Sequence, residues 1–138
     1  MPRLTADEIY GLLTSYFPDA RVFAAIEAIG DRDLTVRMPI RKELLRGGGT
    51  ISGPALMTLA DTSSYFLILA HAGASALSAA TANLDIAFLS RPKPADIVAT
   101  ATLMRMGRRL AFCKVDLFSG DNLVAHATVT YALPHAAA

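Results

Sequence analysis

One stretch of this sequence limits the available folds more than any other. Between Gly47 and Leu84 the chain carries a single residue of the Asp, Glu, Lys and Arg set, and that residue is Asp61. Within the stretch, Gly53-Pro54 opens ALMTLADTSSYFLILAH, which runs unbroken to Gly73. Proline suits the first helical turn and glycine suits a helix end, so the spacing predicts a helix over about residues 54–72. It is apolar nearly all round and must be buried on most sides. It makes a poor membrane span, because Asp61, Thr62, Ser63 and Ser64 sit in its middle. One buried helix needs a sheet to wrap it, and a strongly curved antiparallel sheet does this.

The flanking sequence supplies such a sheet. Thr5 followed by Glu8 is a capping-box pattern, and Ile9, Leu12, Leu13, Tyr16 and Phe17 then share one helical face. An amphipathic helix over about residues 5–17 is expected, stopped by Pro18. RVFAAIEAIG, with Val22, Ala24 and Ile26 on one face, and DLTVRMPI read as a strand pair turning at Gly30-Asp31. RKELLRGGG is a loop. After the long helix come four strand-like runs. In TANLDIAFL, Ala82, Leu84, Ile86 and Phe88 share a face; in DIVATATLMRM, Ile97, Ala99, Ala101 and Leu103 do. RLAFCKVDLF and NLVAHATVTYAL follow, with turns at Gly107-Arg108 and Ser119–Asn122. The regular turns suggest an antiparallel meander and a frayed tail from Pro134. The expected class is α+β, one domain over residues 1–138 with its core at about 20–133.

Charge and motifs exclude several functions. Thirteen basic and twelve acidic residues give a net charge of +1, which argues against nucleic-acid binding through a broad basic face. Cys113 is the single cysteine and cannot form an intramolecular disulfide, and MPRLTADEIY has no apolar signal core. A cytoplasmic protein without membrane association is expected. His71, His126 and His135 lack ligand spacing, so no metal is expected. His126 and Cys113 read as sheet-face residues. No GxSxG elbow, P-loop or GxGxxG turn is present.

Two positions remain for chemistry. A carboxylate on an apolar helix is costly to bury and usually has a partner or a job. Asp61 has Met57, Ser64, Tyr65 and Ile68 as helical neighbours. It either serves a reaction or faces solvent and bonds a hydroxyl such as that of Ser64. Gly53 stands where a free N–H meets the positive end of a helix dipole and can stabilise a developing oxyanion. The plainer reading of Gly53 is a helix cap.

Three segments together carry a resemblance over roughly residues 20–133: GGGTISGPALMTLAD, TANLDIAFLSRP and GRRLAFCKVDLFSGDNLVAHATVTYAL. They resemble the hotdog-fold thioesterases, specifically the phenylacetate-degradation-type acyl-CoA thioesterases. The resemblance implies a long central helix wrapped by a curved sheet. It implies hydrolysis of a small or medium acyl-CoA to free acid and CoA. Asp61 matches the family's catalytic carboxylate, Gly53 its carbonyl-polarising N–H, and Thr81 a hydroxyl position that orients water. The family is dimeric, with Asp61 of one chain facing Gly53 of the other, so a homodimer or a homotetramer built of dimers is implied. No cofactor is implied beyond the CoA of the substrate.

The sequence departs from the pattern at three places. Ser52 stands at the family's histidine, Pro54 at its second glycine and Arg46 at an upstream asparagine. Arg46, Tyr65, Asn83, Arg91, Arg108 and Arg109 are candidate substrate or CoA contacts, with Lys93 beside Arg91 and Arg105 beside Arg108; solvated loop charges are the plainer reading of the basic ones. Tyr65, Phe66 and Leu67 suggest an apolar tunnel for the acyl group. The alternative function is a non-catalytic acyl-CoA-binding or sensing module. A hydratase ranks lower, because it needs a histidine beside Asp61 and His71 is ten residues on.

Overall fold

The computed structural model describes residues 1–134. The expected frayed tail, including His135, lies outside the described residues apart from Pro134. The first helix, α1, spans Ala6–Leu13 and begins with a complete capping box. Thr5 N–H donates to Glu8 Oε1 at 3.0 Å, and Glu8 N–H donates to Thr5 Oγ1 at 3.2 Å. The helix is shorter than its apolar spacing. Thr14 turns its hydroxyl onto the Tyr10 carbonyl at 3.1 Å, and the N–H groups of Tyr16 and Phe17 both fold back on the Leu13 carbonyl. The chain is therefore already in a turn before Pro18.

The expected strand at RVFAAIEAIG also starts later. Val22 and Phe23 donate to the Asp19 carbonyl and Ala24 to that of Ala20, which makes a single helical turn, α2 (Ala20–Phe23). Val22 is exposed rather than on a buried strand face. Strand β1 is Ala25–Ile29. The Tyr10 hydroxyl enforces this change of conformation by donating to the Ala24 carbonyl at 2.5 Å while accepting from Ile26 N–H at 2.8 Å.

The remaining strands are β2 (Asp33–Met38), β3 (Ala80–Phe88), β4 (Ile97–Met106), β5 (Leu110–Ser119) and β6 (Asn122–Ala132). They form one antiparallel sheet in the order β1-β2-β4-β5-β6-β3. The meander β4–β5–β6 follows the sequence. Strand β3 does not join its successor β4; it crosses to the far edge and pairs with β6.

The long helix, α3, is Gly53–Ala72, and it packs across β2, β4, β5 and β6. It ends where Gly73, at φ +88°, gives its N–H to Leu69. Leu59, Phe66, Leu67, Ile68 and Leu69 are fully buried in one core together with Val36, Ala99, Ala101, Val115 and Ala127 of the sheet. Each buried Leu, Ile or Phe side chain contributes roughly 1.5–3 kcal/mol of transfer free energy. The alanines beneath the helix let it lie close to the sheet. Phe66 and Leu67 thus belong to the core, with Phe66 edge-on to Tyr10 at 5.7 Å, and do not line a tunnel. A single long helix wrapped by a curved antiparallel sheet is the hotdog arrangement.

Candidate active site

The first turn of α3 leaves one donor over. Ser52 is the N-cap, and its Oγ accepts from Ala55 N–H at 3.2 Å while its carbonyl accepts from Leu56 N–H. Pro54 has no N–H. Of the helix's first donors, only Gly53 N–H is taken up by none of these contacts. Ser52, standing where the family pattern has histidine, therefore spends its oxygen on the cap. The Gly53 backbone borders a cavity of about 540 Å³ lined also by Arg46, Ile51, Phe88 and Arg91. A Cβ at Gly53 would touch the Phe88 ring at 3.4 Å.

Asp61 lies two turns further along α3 and is half-buried. It does not bond Ser64, whose hydroxyl goes to the Ala60 carbonyl at 2.9 Å. Instead its Oδ1 accepts from two sheet residues. Thr81 Oγ1 donates at 2.6 Å from β3, and Tyr131 OH donates at 2.6 Å from β6. Among the described residues, Oδ2 receives no hydrogen bond. Tyr131 OH also lies 3.1 Å from the backbone carbonyl of Asp61. Burial, with the neighbouring Asp61 carboxylate, pushes the Tyr131 phenol well above the usual tyrosine range. The phenol therefore keeps its proton and can donate it to Asp61.

A β-bulge makes the Thr81 contact possible. Thr81 pairs with Tyr131, and the next pair is Asn83 with Thr130, so Ala82 is the extra residue. Without the bulge, Thr81 would share a face with Asn83 and Asp85. With it, Thr81 joins Leu84 and Ile86 on the helix side, opposite Tyr131 and Val129. Ala82 is exposed and leaves the face its alternation assigns it. Asn83 stands across from Thr130 on the other face, and the structure does not bring it to Asp61.

The remaining candidates divide by location. Arg46 and Arg91 flank the Gly53 cavity. Lys93 lies beside the β5–β6 turn with Arg91. Arg108 and Arg109 follow β4, whose ten residues span about 33 Å, and so sit at the other end of the sheet. Tyr65 stacks on Tyr131 at 6.0 Å and 18°, and its hydroxyl donates to the Leu77 carbonyl at 2.5 Å. Tyr131 is the site residue that the sequence does not reveal. It lies in an ordinary alternating strand, and only its register opposite Thr81 brings it to Asp61. His126 bonds Asp116 Oδ1 at 2.6 Å across β5 and β6, away from these groups.

Comparison with known proteins bears on the family and the fold. The family model described as "Thioesterase superfamily" matches residues 48–126. A solved "putative thioesterase" from Silicibacter is similar at 36% identity, covering 97% of this chain and 94% of that one, with a TM-score of 0.88. A "phenylacetic acid degradation-related protein" from Ralstonia eutropha shares the fold at 24% identity, with 86% and 90% coverage and a TM-score of 0.78. A "putative esterase" from Thermoplasma acidophilum is 19% identical over 96 residues, which is 70% of this chain and 71% of that one.

Proposed function

The chain belongs to the thioesterase superfamily and is a thioester hydrolase, and from that premise we propose that its substrate is a small or medium acyl-CoA. The observation that carries the site assignment is Asp61: a carboxylate on an otherwise uncharged helix, with one oxygen fixed by two hydroxyls and the other unengaged.

In this reading, Oδ2 of Asp61 acts at the thioester carbonyl carbon. Either it takes a proton from water as that water attacks, or it attacks directly to give an acyl-enzyme that water then opens. The C–S bond breaks, and the CoA thiolate leaves and takes up a proton. Gly53 N–H receives the developing oxyanion at the positive end of α3. Thr81 helps orient the water.

Gly53 and Asp61 of one chain cannot share a carbonyl, so the reading requires a second copy. Several features support a homodimer built on β3. This nine-residue strand is an edge, bonded on one side to β6 alone among the described strands. Phe88 and Leu89 are about half exposed, and Met57 is 41% exposed one turn before Asp61. An apolar patch of that kind calls for a partner surface. Arg46 and Arg91 suit the CoA phosphates by bidentate hydrogen bonding. No helix among the described residues is long and apolar enough to cross a membrane, and a cytoplasmic setting with CoA as the carrier fits the reading.

The test is steady-state CoA release from a panel of acyl-CoAs of graded length and aromaticity. Turnover of at least one member supports the proposal. Hydrolysis confined to thioesters of other carriers would overturn the acyl-CoA assignment.

A further inference from the structure

We propose that Tyr131 is a positioning residue that fixes Oδ1 of Asp61 and so makes Oδ2 the oxygen that reacts. This rests on the reading of Asp61 as the catalytic carboxylate. Nothing in the family pattern quoted above includes a tyrosine at this place.

The argument starts from the two carboxylate oxygens. Oδ1 accepts two 2.6 Å hydrogen bonds, from Thr81 and Tyr131. Charge-assisted bonds of that length draw electron density and lower the basicity of the oxygen that accepts them. Oδ2 keeps its lone pairs. When an attacking water forms its bond to the thioester carbon, its proton passes to Oδ2, and Oδ1 becomes the carbonyl oxygen of the resulting acid. A carbonyl oxygen accepts both hydroxyls as before, so the proton transfer requires no rearrangement of the site.

Tyr131 is better placed than Thr81 for this work. Its hydroxyl meets both the side chain and the backbone carbonyl of Asp61, at 2.6 and 3.1 Å, and so restrains the rotamer as well as the charge. Its ring is 4% exposed and stacked on Tyr65, which is tied to the Leu77 carbonyl beyond the end of α3. Asp61 is thereby braced from the sheet and, through Tyr65, from the loop that follows its own helix. Thr81 stands on the exposed edge strand, with no comparable support.

The test is Tyr131→Phe, which removes the hydroxyl and keeps the ring and its stacking. We expect kcat to fall roughly 10- to 100-fold, the loss of one hydrogen bond to a charged group, with KM within about threefold. A fall in kcat with KM nearly unchanged marks a loss in the reacting state rather than in substrate binding. The 13C carboxyl resonance of Asp61, assigned by its absence in Asp61→Asn, should move at fixed pH when the Tyr131 hydrogen bond is lost; this readout needs no turnover. Tyr65→Phe, which frees the brace at Leu77, should lower kcat and move the resonance in the same sense by less. A folded Tyr131→Phe protein with wild-type kcat and an unmoved Asp61 carboxyl resonance overturns the role of Tyr131. An active Asp61→Asn protein overturns the catalytic reading instead, so the two failures are distinct.

Discussion

Gly53 and Asp61 stand eight positions apart on one straight helix, about 12 Å along its axis. A thioester carbonyl is about 1.2 Å long, so a donor to its oxygen and a group acting at its carbon must lie within a few ångströms of each other. The two groups of one chain cannot meet that condition. Gly53 serves a carbonyl at the Asp61 of a second copy, or it does not serve Asp61 at all.

Mixing variants decides between these. Gly53→Pro removes the N–H at the first helical position, and Ser52 already has the extended backbone, at φ −71° and ψ 151°, that a following proline requires; the new ring lies against Phe88 and before Pro54, so a melting curve must first show that the variant folds. Gly53→Ala keeps the N–H and adds the same Cβ beside Phe88, so the difference between the two variants reports the N–H itself. Gly53→Pro and Asp61→Asn homodimers should both be nearly inactive. Their mixture, refolded together, should recover up to about a quarter of wild-type turnover, because half of the randomly formed dimers contain one intact site of two. No recovery would show that the two groups do not act in one shared site. Sedimentation should give a mass at a multiple of 14.6 kDa; a species at 14.6 kDa alone at micromolar concentration contradicts the dimer.

Asp61→Asn alone should lower kcat by roughly 100- to 10,000-fold, the usual span for loss of a general base. Asn is nearly isosteric and can still accept from Thr81 and Tyr131, so the fold and ligand binding should persist. A melting curve and kcat on the same preparation check this. A lowered melting temperature with turnover retained would instead make Asp61 a structural residue.

Ser52→Ala separates capping from catalysis. Loss of the bond to Ala55 N–H should cost about 1 kcal/mol of stability. If the cap is the whole role of Ser52, kcat stays within a few-fold of wild type. A hundredfold loss of kcat at full stability would give its hydroxyl a place in the reaction.

Cys113 sets an alkaline limit. It is 1% exposed, and burial pushes its thiol up to about 12 against an ordinary value of 9.0. In the unfolded chain the thiol ionises near pH 9, whereas in the folded protein it stays protonated. Stability from this group is therefore complete below pH 9 and declines as pH rises towards 12. Urea midpoints measured across that window should fall with pH, and the fall should be shallower in Cys113→Ala. Equal slopes would mean that the thiol is not the titrating group. By the same burial, Cys113 should resist thiol reagents at pH 8 until the protein is unfolded.

Local pattern was enough for α3. A long, mostly apolar run without a helix breaker between Gly53-Pro54 and Gly73 specifies a buried helix, and the absence of other charges singles out Asp61. The alternation in β2, β4 and β5 likewise names the buried faces, because a strand's side-chain period depends only on its own residues. Helix-end chemistry offered Gly53 as either a cap or an oxyanion donor; the resemblance favoured the second and supplied Thr81. Tertiary structure decided the rest. Strict alternation in β3 places Thr81 with Asn83, and only the bulge at Ala82 turns it towards the helix. Tyr131 meets Asp61 because β6, fifty residues beyond Thr81, takes one particular register against a strand that skipped its sequence neighbour. Register between distant strands is fixed by the packing of the whole sheet on α3, and no window of sequence contains both partners.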